Sequence, residues 1–434
     1  MNDSDIQKYQ QALVEQLKQA NYLKTPQVEA AFLNVPRHLF LPDEPLDKVY
    51  SDVAIVRKRG AEGQWTSSSS QPAIMAVMLE QLDLQPGQRV LEIGTGTGFN
   101  AALIASVVGP SGKVVTVDIQ PDLVEDARKC LDLAGYDWVQ TVSGDGGYGY
   151  PEGAPFDRII LTVASDVITP AWREQLVQGG ILVLPFAVLA GLVAGHQKSV
   201  AFEKRGEELM SVDIQPCGFM PLQGAFALAQ PLQTPLGPDL RLHLSSDPGK
   251  ALPVEAETLA AWLSQEGLDW DTGVKLTVHE LLNDFIAWID LHESQAERPT
   301  RAGGSLAAIG DLAEQNLIPS LWGFTGEWKA MYSAVIIEPQ GMAALMRPPG
   351  QTAPLIDIMR FNDNTPFDLY VRNFGPETKA GQCLLEYAHT WEQAGRPTSL
   401  KWRIRAIPAE TETHPAEGEF LVEKPWTKLI VSYQ

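Results

Sequence analysis

Short, uninterrupted apolar runs alternate with helical patterns between residues 89 and 186. The run Arg89–Ile93 precedes a helical pattern over Phe99–Val108, and the same order then repeats along the chain. Apolar runs rich in β-branched residues are typical of parallel strands buried on both faces. The alternation therefore predicts an α/β fold, in which helices cover both sides of a doubly wound parallel sheet. The further predicted strands are KVVTVDI, VQTVSGD, DRIILTVA and GILVLPF.

The length of the chain predicts more than one domain. It has 434 residues, whereas a single domain has roughly 100–200. We predict a helical region followed by a loop over residues 1–70, the α/β domain over 71–225 and a proline-containing linker over 226–240. Helical and strand patterns occur in blocks over residues 241–434, which predicts a second domain of the α+β class.

The charge of the chain restricts its partners. There are 33 basic and 54 acidic residues, so the net charge is −21, and the acidic residues are spread over both halves. A field of this sign repels phosphate backbones and anionic lipids. We therefore expect neither nucleic acid nor membrane as a partner. The oligomeric state has no signal in the sequence.

The N-terminal segment and the cysteines predict a location. The first residues, MNDSDIQKYQQALVEQL, are acidic and amphipathic and lack the apolar core of a signal peptide. No apolar run reaches the roughly 18–20 residues that span a bilayer. The three cysteines lie far apart and form no CxxC pair, so we expect no disulfide framework and no metal site. These features predict a cytoplasmic protein.

The loop Glu92-Ile93-Gly94-Thr95-Gly96-Thr97-Gly98 is the strongest local signal. It lies between a predicted strand and a predicted helix, where the backbone N–H groups of a helix N-terminus point at a ligand. The spacing does not fit the dinucleotide fingerprint Gly-x-Gly-x-x-Gly, because Phe99 follows Gly98. A phosphate-binding Walker loop is excluded as well, since it requires Gly-Lys-Ser/Thr.

Three acidic residues lie at the ends of three successive predicted strands. Glu92 would repel a pyrophosphate beside the glycine loop but attract a ligand that carries an ammonium and a sulfonium. Asp118 ends the next strand, where an acid accepts hydrogen bonds from both ribose hydroxyls. Asp145 ends the third, where a carboxylate can accept from an adenine amino group. The three acids predict a pocket for S-adenosylmethionine; the alternative is a glycine-rich turn with three capping residues.

Several motifs together resemble one enzyme family. The run VLEIGTGTGFNAALIA, with VPRHLFLP upstream and SQP between them, is similar to the protein-L-isoaspartate O-methyltransferases. The segments GDGGYGYPEGAPFDRIIL and GGILVLP follow in that family's order. The resemblance covers residues 1–225, about half of the chain. It implies the class I S-adenosylmethionine methyltransferase fold, a Rossmann-like seven-stranded sheet with an altered order at its C-terminal edge.

The resemblance also implies roles for particular residues. Ser70 would be the catalytic residue that contacts the acceptor carboxylate, and Ser69 and Gln71 would bind substrate beside it, so that the loop before residue 71 is a substrate loop. The residues implied in cofactor binding are Glu92, Gly94, Thr95, Gly96, Gly98, Asp118, Ile119, Asp145 and Gly146.

The acceptor chemistry follows from pKa values. An aspartyl or isoaspartyl carboxylate, with a pKa near ~3.9, is ionised at pH 7 and needs no general base. Neutral hydroxyl donors such as Ser67–Ser70 would orient it without stabilising the ground state more than the transition state. The basic run Arg57-Lys58-Arg59 either attracts an acidic peptide toward this loop or is simply solvated.

Members of this family with an added C-terminal half resemble enzymes that modify ribosomally made peptides. We therefore expect methylation of an aspartyl side-chain carboxylate in a partner peptide, after which the ester collapses to a succinimide (aspartimide). The alternative is a repair enzyme that methylates L-isoaspartyl residues in damaged proteins. Two other possibilities stay open, namely a cofactor-binding scaffold without transfer activity and a carboxyl methyltransferase for small molecules.

Overall fold

The computed structural model describes residues 3–59, 65–189, 197–227, 233–244, 252–295, 301–309, 321–324, 330–351, 355–356 and 365–434. These residues form three sheets, of ten, nine and two strands. No helix in the described ranges has both the length and the apolar character needed to cross a membrane.

The first half of the chain contains most of the helices and the strands of the predicted α/β domain. The helices are α1 (Asp3–Gln19), α2 (Pro26–Asn34), α3 (Leu46–Val49), α4 (Pro72–Leu82), α5 (Phe99–Val108), α6 (Pro121–Leu133) and α7 (Pro170–Gln175). The strands are β1 (Ile55–Arg59), β2 (Trp65–Ser69), β3 (Arg89–Ile93), β4 (Lys113–Asp118), β5 (Gln140–Ser143), β6 (Phe156–Leu161), β7 (Leu176–Phe186), β8 (Gln197–Arg205) and β9 (Glu208–Cys217). Short 3-10 turns lie at Arg37–Phe40, Gly146–Tyr148 and Pro151–Gly153.

Seven of these strands lie side by side in the order β5-β4-β3-β6-β7-β8-β9. Strands β3 to β7 are parallel, and β8 and β9 run antiparallel at the C-terminal side. The order reverses between β3 and β6, and in open α/β sheets ligands bind beyond the carboxyl ends of the strands at such a point. The predicted doubly wound α/β sheet is thus confirmed.

Helix α5 is buried on nearly all sides. All of its residues except Ser106 are buried, because the sheet covers one face and α2 packs on the other. The Phe99 ring meets the rings of Phe32 and Phe40, with centroids 6.3 and 5.6 Å away. The N-terminal helices therefore fix the helix that follows the glycine loop.

The second half of the chain is rich in strands. Its helices are α8 (Ala256–Leu263), α9 (Val278–Glu280), α10 (Ile286–Ser294) and α11 (Lys379–Gln393), with a π-helical turn at Leu281–Phe285 and a 3-10 turn at Ser399–Lys401. Its strands are β10 (Gln233–Pro235), β11 (Leu240–Leu244), β12 (Leu268–Leu276), β13 (Ala302–Ile309), β14 (Trp322–Phe324), β15 (Ala330–Glu338), β16 (Gly341–Met346), β17 (Leu355–Ile356), β18 (Phe367–Phe374), β19 (Trp402–Pro408), β20 (Glu419–Lys424) and β21 (Thr427–Tyr433).

A second sheet, with the main order β10-β11-β13-β15-β16-β18-β12, is antiparallel along this path. Successive residues of a strand point to opposite faces, so Ala334 and Ile336 of β15 pack in a core with α10 and α11. Val335 and Ile337 pack on the other face, in a core with α8. The helices and antiparallel strands agree with the predicted α+β class.

The last three strands of the chain extend the first sheet instead of the second. Strand β19 pairs with β9, with Arg405 opposite Met210, and β21 and β20 follow in the order β9-β19-β21-β20. This pairing crosses the predicted domain boundary at residue 241. The predicted linker contains β10, and its residues 228–232 lie outside the described ranges.

Helix α10 contacts the cores of both halves. Its residues Ala287 and Leu291 are buried in the core that also contains Phe186, Trp402 and Val431. Ile286 and Ile289 face the core of the second sheet. The same short helix therefore packs against strands from both ends of the chain.

Candidate active site

The glycine loop lies between β3 and α5 at the carboxyl edge of the sheet. Gly94, Gly96 and Gly98 all have φ in the left-handed region, which residues with a Cβ rarely adopt. At Gly94 a Cβ would also lie 2.5 Å from the Thr162 hydroxyl. Gly94 and Gly96 are partly exposed at this edge.

Glu92 is fully buried beneath this loop, with 0% exposure. Its carboxylate accepts hydrogen bonds from Thr116 Oγ1 at 2.6 Å and from Asn100 Nδ2 at 2.8 Å. Burial raises the pKa of Glu92 to about 7, although both hydrogen bonds act in the opposite direction. The Thr116 hydroxyl also lies 2.8 Å from the hydroxyl of Thr95, so Glu92 links β3 to β4, to α5 and to the loop itself.

Asp118 is the last residue of β4 and lies beside the loop. Its carboxylate accepts from the backbone N–H groups of Gly96 at 3.1 Å and Gln120 at 3.0 Å. Burial raises the pKa of Asp118, and these backbone hydrogen bonds lower it. The next residue, Ile119, is 37% exposed, so a bare apolar side chain adjoins a carboxylate at this strand end.

Asp145 follows β5 and is held by two backbone N–H groups. Its Oδ1 accepts from Gly147 at 2.9 Å, and its Oδ2 accepts from Ala225 at 2.7 Å. A Cβ on Gly146 would overlap the Ile93 side chain, so this turn lies directly against the end of β3. The Ala225 contact brings the segment after β9 to the same edge.

The structure thus brings the ends of β3, β4 and β5 together at one edge, as neighbouring parallel strands require. Asp118 and Asp145 are partly exposed there, whereas the Glu92 carboxylate lies below the surface. A partly exposed glycine loop, an exposed isoleucine and a cluster of carboxylates fit a cationic nucleoside such as S-adenosylmethionine. Direct contacts from each named residue stay predictions.

The predicted substrate loop lies next to the glycine loop. Strand β2 pairs with β1, with Ser69 opposite Ile55 and Ser68 opposite Val56. The carbonyl oxygen of Ser68 would lie 3.5 Å from a Cβ on Gly96. The serine run and the cofactor loop are therefore neighbours in space, although about thirty residues separate them.

The three predicted substrate residues differ in their surroundings. Ser69 is 3% exposed, and its hydroxyl has no hydrogen-bond partner among the described residues. Ser70 is half-buried. The Gln71 side-chain amide donates to Asp52, at 3.0 Å to Oδ2 and 3.2 Å to the carbonyl. Gln71 therefore orients the turn before α4, and its contact with substrate stays a prediction.

Comparisons with known proteins identify the family. Residues 7–226 match the family described as Protein-L-isoaspartate(D-aspartate) O-methyltransferase. The chain belongs to this family. It is therefore a methyltransferase, as predicted, and S-adenosylmethionine is the methyl donor of the family.

Two relatives named protein-L-isoaspartate O-methyltransferase illustrate how far the similarity extends. The methyltransferase is 35% identical to the protein of Methanopyrus kandleri over 233 residues, which are 98% of that protein and 53% of this chain. It is 39% identical to the protein of Hyperthermus butylicus over 222 residues, which are 88% of that protein and 49% of this chain. This chain is thus longer than these relatives.

Two solved structures align with this chain over different lengths. A protein-L-isoaspartate O-methyltransferase aligns with 91% of this chain and 96% of its own, at 24% identity and a TM-score of 0.48. A putative protein-L-isoaspartate O-methyltransferase from Plasmodium falciparum, in complex with S-adenosyl-L-homocysteine, aligns with 49% of this chain and 97% of its own. The identity is 18% and the TM-score 0.42.

Arg37 lies beside the predicted substrate residues and was not selected by the sequence analysis. It is 1% exposed, donates from Nη2 to the Ser70 carbonyl at 3.1 Å, and lies 4.9 Å from the centre of the Phe99 ring. Burial lowers the pKa of Arg37 to about 10. Its place in VPRHLFLP, one of the motifs that carry the family resemblance, could have indicated it.

Asp52 was missed as well. Its Oδ1 accepts from the backbone N–H of Ala73 at 2.8 Å, which satisfies a free donor in the first turn of α4. Its Oδ2 accepts from Gln71. Asp52 lies about twenty residues before α4, in an irregular segment without helical or strand periodicity. No pattern in the sequence therefore indicated its contact with α4.

The basic run Arg57-Lys58-Arg59 lies on β1, beside the serines. Lys58 Nζ donates to Asp122 Oδ2 at 2.6 Å and to Gln120 Oε1 at 2.9 Å. Arg57 Nη2 lies 3.5 Å from Asp43 Oδ2. The charges of Arg57 and Lys58 are thus neutralised locally, and Lys58 ties β1 to α6 near Asp118.

In the described part of the chain, no group of three or more His, Cys, Asp or Glu side chains is arranged to hold a metal ion. The three cysteines are free thiols.

Proposed function

We propose that this methyltransferase methylates the free carboxylate of an L-isoaspartyl residue in a protein or peptide. The observation that carries the proposal is the buried Ser69 hydroxyl, which has no hydrogen-bond partner among the described residues and whose neighbour Ser68 lies against the glycine loop. A buried hydroxyl without a partner is unfavourable by about 1–3 kcal/mol, which a bound acceptor oxygen would offset. The names of the relatives support isoaspartate as the acceptor.

The donor side of the site is anionic. When bound, S-adenosylmethionine would supply its sulfonium methyl group to a carboxylate oxygen, with S-adenosylhomocysteine as the leaving group. Asp118 lies beside the glycine loop and Glu92 beneath it, and their negative charge, when they are ionised, favours a cationic ligand. Ile119 offers apolar surface for the nucleoside base. These residues bind and orient; none of them moves a proton.

The acceptor side is neutral. A carboxylate with a pKa near ~3.9 is already ionised at pH 7, so no general base is required. Charge disappears as the ester forms, so a cation on the carboxylate would stabilise the ground state more than the transition state. The Arg37 guanidinium bonds the Ser70 carbonyl instead. Alignment by hydroxyls then supplies the rate gain, and well-oriented groups gain about 7–11 kcal/mol.

A second candidate acceptor is an aspartyl side-chain carboxylate in a ribosomally made partner peptide, with collapse of the ester to a succinimide. The observation that favours it is the sheet-rich second half of the chain, which lies beyond the family match at residues 7–226. This half offers surface for gripping one particular partner. A cytoplasmic location is a prediction common to both candidates.

Matched peptides distinguish the candidates. Peptides that differ only in Asp against isoAsp are incubated with the full chain and S-adenosylmethionine, and the products are analysed by mass spectrometry. Methylation of isoAsp alone supports the first proposal. Methylation of Asp, followed by loss of methanol, supports the second. Transfer to neither peptide, in a preparation that binds the cofactor in calorimetry, contradicts the first proposal. The Ser69→Ala variant is the matched control for transfer outside the site.

A further inference from the structure

The turn Lys424–Thr427, here named the C-terminal turn, joins β20 to β21 and lies at the carboxyl edge of the first sheet. Four strands separate β20 from β7 in the sheet order, yet Lys424 Nζ donates to the carbonyl of Ala187, just after β7, at 2.9 Å. The sheet therefore curls until its outermost strand returns to the active-site edge.

Thr427 fixes the same turn from its other end. Its hydroxyl donates to the carbonyl of Ile168 at 2.9 Å and accepts from Arg173 Nη2 at 3.2 Å. Both partners lie in the segment between β6 and β7. The C-terminal turn is therefore anchored to the methyltransferase half at two points, one on each side of Trp426.

Trp426 starts a chain of aromatic contacts that leads to the cofactor edge. Its ring meets the Phe226 ring with centroids 4.9 Å apart, and Phe226 meets Tyr148 at 5.0 Å. The Phe226 ring fills the space over Gly147, where a Cβ would overlap it. Trp426 is 37% exposed, so it covers Phe226 from the solvent side without being part of the core.

The segment that carries Phe226 also holds Asp145. The N–H of Ala225 donates to Asp145 Oδ2 at 2.7 Å, and Gly224 lies so close that a Cβ there would overlap this carboxylate. Asp145 Oδ1 is held separately by Gly147. The aromatic contacts therefore lie on both sides of the turn that orients Asp145.

We infer that Trp426 is a positioning residue for the methyl-donor pocket: through Phe226 it holds Ala225 against Asp145 and so sets the affinity for the adenosyl group. This inference rests on the proposed function and on the predicted role of Asp145, whose carboxylate would accept a hydrogen bond from the adenine amino group. It makes the far end of the chain a part of the donor pocket, and it concerns only binding.

Calorimetry of the full chain with S-adenosylhomocysteine tests the inference without any acceptor. The interaction energy of an aromatic pair of this kind corresponds to roughly a two- to tenfold change in an equilibrium constant. We expect Trp426→Ala to weaken binding by about that factor and Trp426→Phe to restore it. Tyr22→Ala is the matched control, because Tyr22 is 38% exposed and lies outside the site; its affinity should equal that of the unsubstituted chain.

A double-mutant cycle separates positioning from a general structural effect. Asp145→Asn keeps an acceptor for Gly147 but loses the one for Ala225, so Trp426→Ala should cause no further loss in that background. Phe226→Leu should reproduce the loss if Trp426→Ala fails to fold. Unchanged affinity in Trp426→Ala, or an undiminished loss in the Asp145→Asn background, overturns the inference alone. Absence of binding by the unsubstituted chain overturns the proposed function as well.

Discussion

The Asn100 side chain donates a hydrogen bond to the carboxylate of Glu92 over 2.8 Å, and this bond joins the first turn of α5 to the end of β3. The glycine loop lies between the two residues in sequence. A buried acid and the amide that holds it therefore set the position of the loop and place a negative charge beneath it.

Replacement of Glu92 by Gln removes the charge and keeps the size of the side chain. A unit charge a few ångströms from a cation contributes about 1–4 kcal/mol at the effective dielectric of such a site, so we expect roughly a tenfold or greater loss of affinity for S-adenosylmethionine. The loss should be smaller for S-adenosylhomocysteine, whose sulfur is neutral. Calorimetry with both ligands measures the difference, and Glu125→Gln, an exposed carboxylate on α6, is the control. Equal losses for the two ligands would contradict an electrostatic role.

The affinity for S-adenosylmethionine should depend on pH through Glu92. Burial raises the pKa of Glu92 to about 7, so its ionised fraction grows between about pH 6 and 8. A cationic ligand favours the ionised form, and affinity should therefore rise across this window. In Glu92→Gln, calorimetry at three pH values should give a flat profile. A rise that persists in the variant would assign the dependence to another group.

The raised pKa of Glu92 also makes the free energy of unfolding depend on pH. The folded state holds the proton of Glu92 more tightly than the unfolded chain, whose glutamate pKa is near ~4.3. Between that pH and about 7, the free energy of unfolding of the ligand-free chain should fall as the pH rises. This contribution is lost as Glu92 ionises in the folded chain.

Helix α5 illustrates what the sequence could predict. It begins after Gly98 and ends before Gly109, and both glycines have φ in the left-handed region. Such signals are local, as is the apolar run of β3. The sheet, the glycine loop and the three acidic strand ends could therefore be predicted from short segments.

Contacts between distant segments could not be predicted in this way. The pairing of β19 with β9 joins Arg405 to Met210, and alternation along a strand indicates which face is buried but not which strand is its partner. The bond from Arg37 to Ser70 is of the same kind. In both cases the contact joins segments that lie far apart in the sequence, and it forms only in the packed fold.

The Ser69 hydroxyl should matter for transfer and not for folding. Ser69→Ala removes a buried hydroxyl that has no partner among the described residues, so the free energy of unfolding should stay equal or rise. We expect kcat/KM for the peptide to fall by about tenfold, which corresponds to a loss of about 1–2 kcal/mol of transition-state stabilisation. Ser70→Ala should lower methylation at saturating peptide. Ser111→Ala, an exposed serine between α5 and β4, is the control; full activity of Ser69→Ala would contradict the acceptor assignment.

Arg37 should position the acceptor loop. Arg37→Lys keeps the charge but loses the planar guanidinium that bonds Ser70 and lies over Phe99. We expect a drop of about 1–3 kcal/mol in the free energy of unfolding, together with a lower kcat and an unchanged affinity for S-adenosylmethionine. Urea unfolding and steady-state kinetics measure these, and Arg57→Lys on β1 is the control. An unchanged kcat would restrict Arg37 to a structural role.

The last strands should fold as one unit with the methyltransferase sheet. Ile404 of β19 is fully buried in the core that contains Phe202 and Val431, so Ile404→Ala should lower the free energy of unfolding by about 2–5 kcal/mol. Urea denaturation with and without S-adenosylhomocysteine shows whether Ile404→Ala shifts the unfolding transition that the ligand stabilises. Val212→Ala, half-exposed on neighbouring β9, should change it by less than about 0.5 kcal/mol. Ile404→Ala could instead shift only an unfolding transition that the ligand does not stabilise. The C-terminal strands would then fold independently of the donor pocket.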